Sequence, residues 1–194
     1  PENGNLMVNA ELLPLSSDEF ETGPPSIDAI ELARIMDRSV RESQALDTAD
    51  LCVEPGEKVW SIMCDICTIN DAGNLFDAAS IALISALKSA RFPSLDEGKV
   101  DYKKKTETPL PITKIPLGIT VWKVGDKFIV DPLKVEQRAM DARLTVGTLD
   151  DGTICALQKG GEGTLSVEDI AAMIDLSIDH ADSIRKIIKK TIGE

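Results

Sequence analysis

Aromatic residues make up only 4% of this 194-residue chain, so it offers few platforms on which single-stranded bases could stack. His180 is its only histidine. It lies off the apolar stripe of its segment, where a surface position is expected rather than a catalytic one. No apolar run approaches membrane-spanning length, no signal peptide is apparent, and no membrane partner is expected. Positive charge is short: the formal net charge is −12. That balance argues against indiscriminate binding to nucleic acid. It leaves room for a small basic pocket, or a composite site completed by a more basic partner.

Cysteine is sparse too, with Cys52, Cys64, Cys67 and Cys155. Cys64 and Cys67 form a CxxC inside KVWSIMCDICTI, which has the alternation of a strand. Positions i and i+3 of a strand face opposite ways, so the two sulfurs do not converge on one metal. No second CxxC exists, and small hydrophobes in a reducing cytosol is the expected role. Gly160-Gly161-Glu162-Gly163 lacks the spacing and the following lysine of a phosphate-binding loop. With 43% hydrophobic and 28% charged residues, the chain has material for one domain with a core or two small subdomains. It opens on Pro1 rather than methionine, as expected of a truncated or processed product.

What the sequence does contain is an arginine stripe. The run SIDAIELARIMDRSVRESQ has helical period. Ala29, Leu32, Ala33, Met36 and Val40 fall on one face. Arg34, Arg38 and Arg41 fall roughly opposite. Two readings stand: a local anion site, or a solvated face whose arginines pair with Glu31, Asp37 and Glu42.

Around it, Leu6–Pro14 alternates as a strand, and Ser26 follows the Gly23-Pro24-Pro25 breaker as an N-cap. Lys58–Ile69 reads as one strand after a turn at Glu54-Pro55-Gly56. NLFDAASIALISALKSARF is apolar nearly all round and reads as a core helix. Ser94–Pro109, with Lys103-Lys104-Lys105, reads as an exposed loop. Two hairpins follow, turning at Gly125-Asp126 and Asp150-Asp151-Gly152, with a short helix near Lys134–Met140 between them. The last helix, Val167–Ile192, starts at a capping box of Ser166 and Asp169 and ends at Gly193. Its expected buried stripe is Val167, Ile170, Ala171, Ile174, Ile178, Ala181, Ile184 and Ile188. The mixture is α+β, with antiparallel strands and core helices. Residues 1–93 and 112–194 are expected to form two subdomains joined by a loop at 94–111.

Taken together, NLMVNAELLPLSS, GPPSIDAIELARIMDRSVRES, VEPGEKVWSIMCDICTINDAGNLFDAASIALISAL, KFIVDPLKVEQRAMDARLTV and CALQKGGEGTLSVEDI resemble the RNase PH family. More narrowly, they resemble the non-catalytic RNase PH-like subunits of archaeal exosomes. The resemblance spans the whole chain, with the family's first strands missing from its N-terminus. It implies an RNase PH-like fold and a role in phosphorolytic 3′→5′ RNA degradation. Active members hold phosphate with a Gly-Ser-Arg at the start of the core helix. Here those positions carry Gly73, Asn74 and Leu75, with Asp77 in the first turn. Active members also carry two aspartates six residues apart, which here are Asp131 and Gln137. Gln137 cannot act as a general acid, and Asp131 alone is expected to be structural. An Arg-Arg pair of active members matches Ile27 and Asp28.

No catalytic or metal-binding residue is therefore expected. The resemblance implies that Arg34 and Arg38, and more weakly Arg41, contact single-stranded RNA. For Arg41 an ion pair with Asp37 or Glu42, or a contact with the partner subunit, stays open. It also implies an active RNase PH-like partner, a ring of three such pairs, RNA-binding cap subunits and a cytoplasmic location. Inorganic phosphate and a divalent metal would be held by the partner. The alternatives are an independently active phosphorolytic nuclease and a purely structural ring subunit.

Overall fold

The computed structural model of the chain describes residues 2–96 and 99–193. Strand β1 (Asn5–Glu11) alternates between core and solvent. Helix α1 (Ile27–Glu42) follows; Ser26 Oγ accepts from the Ala29 N–H at 3.2 Å, as its cap position predicts. Strands β2 (Cys52–Glu54) and β3 (Lys58–Val59) form a small antiparallel ladder around the expected turn. The stretch expected as one strand over Lys58–Ile69 breaks at Trp60. The backbone of Trp60 turns aside to bond Leu51 and Asn5, and its ring packs on Phe92 at 5.5 Å. Strand β4 (Ser61–Cys67) then pairs with β1 in parallel. Leu6, Val8 and Ala10 lie opposite Ile62, Cys64 and Ile66 on the core side. Cys64 thus faces in and Cys67 faces out. Burial pushes the Cys64 thiol up to about 11.

Helix α2 (Leu75–Ser89) buries Asp77, Ala79, Ser80, Leu83, Ile84 and Leu87. Its open side carries Ala78, Ala82 and Ala86, which is why the segment reads as apolar all round. The stretch expected as a loop over Ser94–Pro109 is instead a ribbon: β5 (Arg91–Asp96) pairs antiparallel with β6 (Lys99–Pro109). Charged residues disguise it. With little core to bury, the ribbon needs no apolar alternation, and exposed lysines guard its edges. Residues 97–98 and the side chain of Lys105 lie outside the described residues.

A four-stranded antiparallel sheet forms the second half, in the order β10 (Ile154–Gly160), β9 (Ala142–Thr148), β7 (Leu117–Val124), β8 (Lys127–Val130). Both hairpins turn where expected, at Gly125 (φ +56°) and Gly152 (φ +79°). The short helix α3 covers only Lys134–Gln137. Strand β7 is buried from Leu117 to Trp122 because helices cover both its faces. On the face towards α1 and α2 the sheet carries small or polar residues. Gly118 lies against Ser80 and Gly147 against Ser39, while Thr120 and Thr145 share a hydrogen bond of 2.9 Å. These let the helices approach closely. On the other face, Val121, Leu144 and Val146 pack with Met173 of helix α4 (Val167–Ile192).

The capping box of α4 is present, with Ser166 Oγ accepting from Asp169 N and Asp169 Oδ2 from Ser166 N. The buried row keeps Ala181 and Ile188 of the expected stripe and is otherwise displaced. It runs through Met173, Ser177, Ala181, Arg185 and Ile188, while Val167 and Ala171 are exposed. Ile170, Ile174, Ile178 and Ile184 flank it. A buried arginine sets this row. Arg185 donates to the carbonyls of Ile115 (3.1 Å) and Thr148 (2.9 Å) and to Asp182 (2.7 Å). Among the described residues no helix is long and apolar enough to cross a membrane.

Candidate nucleic-acid interface and the neighbouring cleft

Helix α1 buries Ala29, Leu32, Ile35, Met36, Ser39 and Val40, so Arg34, Arg38 and Arg41 emerge on its open side. Their circumstances differ. The Arg41 guanidinium forks onto Asp37, with Nε donating to Oδ2 at 3.1 Å and Nη2 to Oδ1 at 2.7 Å. Nη2 also donates to the Leu6 carbonyl at 2.8 Å. The Asp37 hydrogen bond holds Arg41 above the usual arginine range. Arg34 and Arg38 have no hydrogen bond or ion pair among the described residues. They stand one turn apart along the seam where α1 meets Ala156, Leu157 and Gln158 of β10.

The expected pairing partners are differently placed. Asp37 serves Arg41. Glu31 is taken by Arg143 of β9, whose Nη2 donates to Glu31 Oε2 at 2.6 Å. Arg143 is buried, with its guanidinium 4.2 Å from the Phe76 ring centroid. The sequence offers one clue to this role, an arginine inside the apolar run ARLTV.

Three positions that the resemblance marks as substituted converge. Asp28, Leu75 and Gln137 line one cleft of about 270 Å³ between α1, α2 and α3. Its cations are all engaged. Lys134 bonds Glu19 (3.0 Å) and Asp71 (3.1 Å), Arg138 bonds Glu19 (2.6 Å), and Arg143 bonds Glu31. Hydrogen bonds from Lys134 and Arg138 hold Glu19 below the usual carboxylate range. Ile27 points into solvent, 84% exposed.

The start of α2 is likewise filled from within. Asn74 sits in the left-handed region (φ +52°) and donates to Asp77 Oδ2 at 3.0 Å and Asp131 Oδ1 at 3.1 Å. Asp77 Oδ1 accepts from the Thr120 N–H at 2.8 Å. Burial raises the Asp77 carboxyl to about 6. A side chain on Gly73 (φ +119°) would meet the Pro132 carbonyl at 2.4 Å. The helix N-terminus is therefore closed by the segment after β8, with two carboxylates where an anion would sit. Asp131 enters this network by accepting from Asn74.

Comparison with known proteins places this architecture. The description "3′ exoribonuclease family, domain 1" of the RNase PH family matches residues 1–93, and domain 2 matches residues 114–180. The chain belongs to the RNase PH family. Within that family it is 37% identical over 194 residues to the exosome complex component Rrp42 of Methanothermobacter thermautotrophicus, covering 99% of this chain and 72% of that protein. It is 40% identical to the Rrp42 of Methanopyrus kandleri, covering 97% of this chain and 72% of that one. Among solved structures, a chain of the Archaeoglobus fulgidus exosome with RNA bound to the active site superposes with a TM-score of 0.89. That chain is 40% identical, with 97% of this chain and 72% of that one covered. A rice Rrp46 structure, 15% identical with a TM-score of 0.69 over 100% of this chain and 76% of that one, shares the fold alone. The RNase PH-like α+β fold expected from the sequence is thus the one found.

Proposed function

We propose that this RNase PH-family chain is a non-catalytic, RNA-guiding ring subunit of an archaeal-type exosome. One contrast carries the reading. The cleft that collects Asp28, Leu75 and Gln137 has its cations paired with carboxylates, while Arg34 and Arg38 on α1 have no partner among the described residues. The first arrangement leaves no cation unpaired for phosphate, and Gln137 cannot act as a general acid. The second suits the backbone of single-stranded RNA, because guanidinium groups bond phosphate oxygens without reading bases. The similarity to archaeal Rrp42 proteins supports it.

In this reading the chain pairs with an active RNase PH-like subunit, and three pairs close a hexameric ring in the cytoplasm. RNA-binding cap subunits sit on one face. The partner holds inorganic phosphate and a divalent metal and performs the chemistry. Arg34 and Arg38 deliver the RNA strand to that neighbouring site.

The deciding experiment is phosphate-dependent release of nucleoside diphosphates from polyadenylate. The chain alone should release none, and the complex with its active partner should be processive. Robust release by the chain alone would overturn the reading. Of the alternatives, the purely structural subunit draws support from Arg41, whose guanidinium is bound within the chain. The freedom of Arg34 and Arg38 speaks against extending that role to the whole stripe.

A further inference from the structure

Arg34 has two acidic neighbours within helical reach, Glu31 three residues before it and Asp37 three residues after. Either could neutralise it, and neither does. Each carboxylate is held by a different arginine, and both of those arginines are anchored elsewhere in the fold. Arg41 grips both oxygens of Asp37 and is fixed by its bond to the Leu6 carbonyl of β1. Arg143 reaches Glu31 from β9, 112 residues along the chain. It lies over the rings of Phe76 and Trp122. Gly160 makes room for it: a Cβ there would stand 2.3 Å from the Arg143 Cζ.

We infer that Arg41 and Arg143 are positioning residues for RNA. They capture Asp37 and Glu31, the two acids within helical reach of Arg34, and so leave Arg34 unneutralised and free for phosphate beside Arg38 one turn beyond it. This rests on the reading that Arg34 and Arg38 meet the RNA backbone. The stripe then divides its labour: two arginines face the ligand, and the third disarms the acid between them. Without Arg41, the Asp37 carboxylate is released at a spacing that pairs it with Arg34. Without Arg143, Glu31 is released in the same way. Long-range attraction of RNA is nearly unchanged by such a switch. What changes is whether Arg34 has its donors available when a phosphate arrives.

A double-mutant cycle in the assembled complex tests this, using a labelled oligoadenylate over a range of salt concentrations. Arg41→Met should weaken binding by about three- to tenfold, and Asp37→Asn in that background should restore it to within about twofold of Asp37→Asn alone. The salt slope of Arg41→Met/Asp37→Asn should match that of the parent, because no phosphate contact has been removed. If Arg41→Met costs the same factor with and without Asp37 and lowers the slope by about 0.7, Arg41 touches phosphate itself and the inference falls. No effect of Arg41→Met also overturns it.

The Arg143 arm is read the same way. Arg143→Met strands Glu31 in a part-buried setting, so Arg143→Met/Glu31→Gln, which removes both charges, supplies the measurement. Parent-like affinity and slope in that variant support the capture role, and weakened binding by a folded double variant overturns it. Arg34→Ala/Arg38→Ala separates the two levels. If that change leaves RNA affinity intact, the RNA-guiding reading itself has failed. If it weakens binding while the cycles show no coupling, only the capture role has failed.

Discussion

Asn74 and Asp131 meet across the two halves of the chain, the Asn74 side-chain amide donating to Asp131 Oδ1 at 3.1 Å. Both residues occupy left-handed backbone, with φ of +52° and +54°, a conformation that Asn and Asp tolerate better than other side chains. The contact ties the start of α2 to the end of β8. It also brings the Asp131 carboxylate to the group that already holds Asp77. The start of α2 is therefore a structural joint.

Asp77 should make stability pH-dependent. Its carboxyl stands at about 6 in the folded chain against 3.8 for an unperturbed Asp, chiefly through burial. The folded state thus holds the proton more tightly. Stabilisation from this group is complete below the unfolded value and is lost as pH rises through about 6. The unfolding free energy of the parent relative to Asp77→Asn should fall by up to about 3 kcal/mol between about pH 4 and pH 7. Urea titrations across that range measure it, and parallel pH profiles would contradict the assignment.

Arg34 and Arg38 should report their phosphates through salt. Replacing both with alanine in the assembled complex should weaken RNA binding about tenfold or more and reduce the log–log salt slope by about 1.4. The loss should be similar for RNAs of different sequence, because backbone contacts carry no base information. Arg34→Lys/Arg38→Lys should keep most of the slope while losing affinity, since lysine brings the charge without the fork. Filter-binding isotherms at several salt concentrations distinguish these outcomes.

Arg185 should be among the costliest residues to remove. It is 3% exposed and serves the carbonyls of Ile115 and Thr148. Arg185→Met would leave these buried acceptors unpaired, and the expected loss is about 3 kcal/mol. Arg185→Lys should recover less than half, because an ammonium at that depth cannot reach both carbonyls in one plane. A lowered urea midpoint with unchanged m-value is the expected signature.

Cys67 should react with a maleimide well before Cys64 in the folded chain. Cys67 is exposed, whereas Cys64 faces the core and its thiol is pushed up to about 11. Peptide mapping at short reaction times should find label on Cys67 first, and equal labelling would mean that β4 does not hold its register.

Local chemistry was legible in the sequence wherever it closes within a few residues. Ser26 and the Ser166–Asp169 box announce their helices, and Gly125 and Gly152 mark hairpin turns that the structure contains. The misreadings share one cause, a partner distant in sequence. Periodicity favours an isoleucine stripe on α4 because nothing near Arg185 in sequence reveals the Ile115 carbonyl to which it donates. The break at Trp60 depends on backbone groups of Asn5 and Leu51. The β5–β6 ribbon buries too little to leave a pattern. At the site, the departures that the resemblance marks at Leu75 and Gln137 are legible residue by residue. Their convergence on one cleft, and the capture of Glu31 by Arg143, required the fold.

The parallel pairing of β1 with β4 has a kinetic consequence. Leu6 must find Ile62 across more than fifty residues, whereas β7 closes on β8 across a two-residue turn. Loop-closure entropy delays the first contact and favours the second. The expected order of assembly is therefore the four-stranded sheet first, with the β1–β4 pair afterwards. Arg41 is fixed to the Leu6 carbonyl of β1, so its hold on that strand should be among the last features to mature. Pulse-labelled amide exchange during refolding should show β7–β8 protected before β1, and the reverse order would refute it.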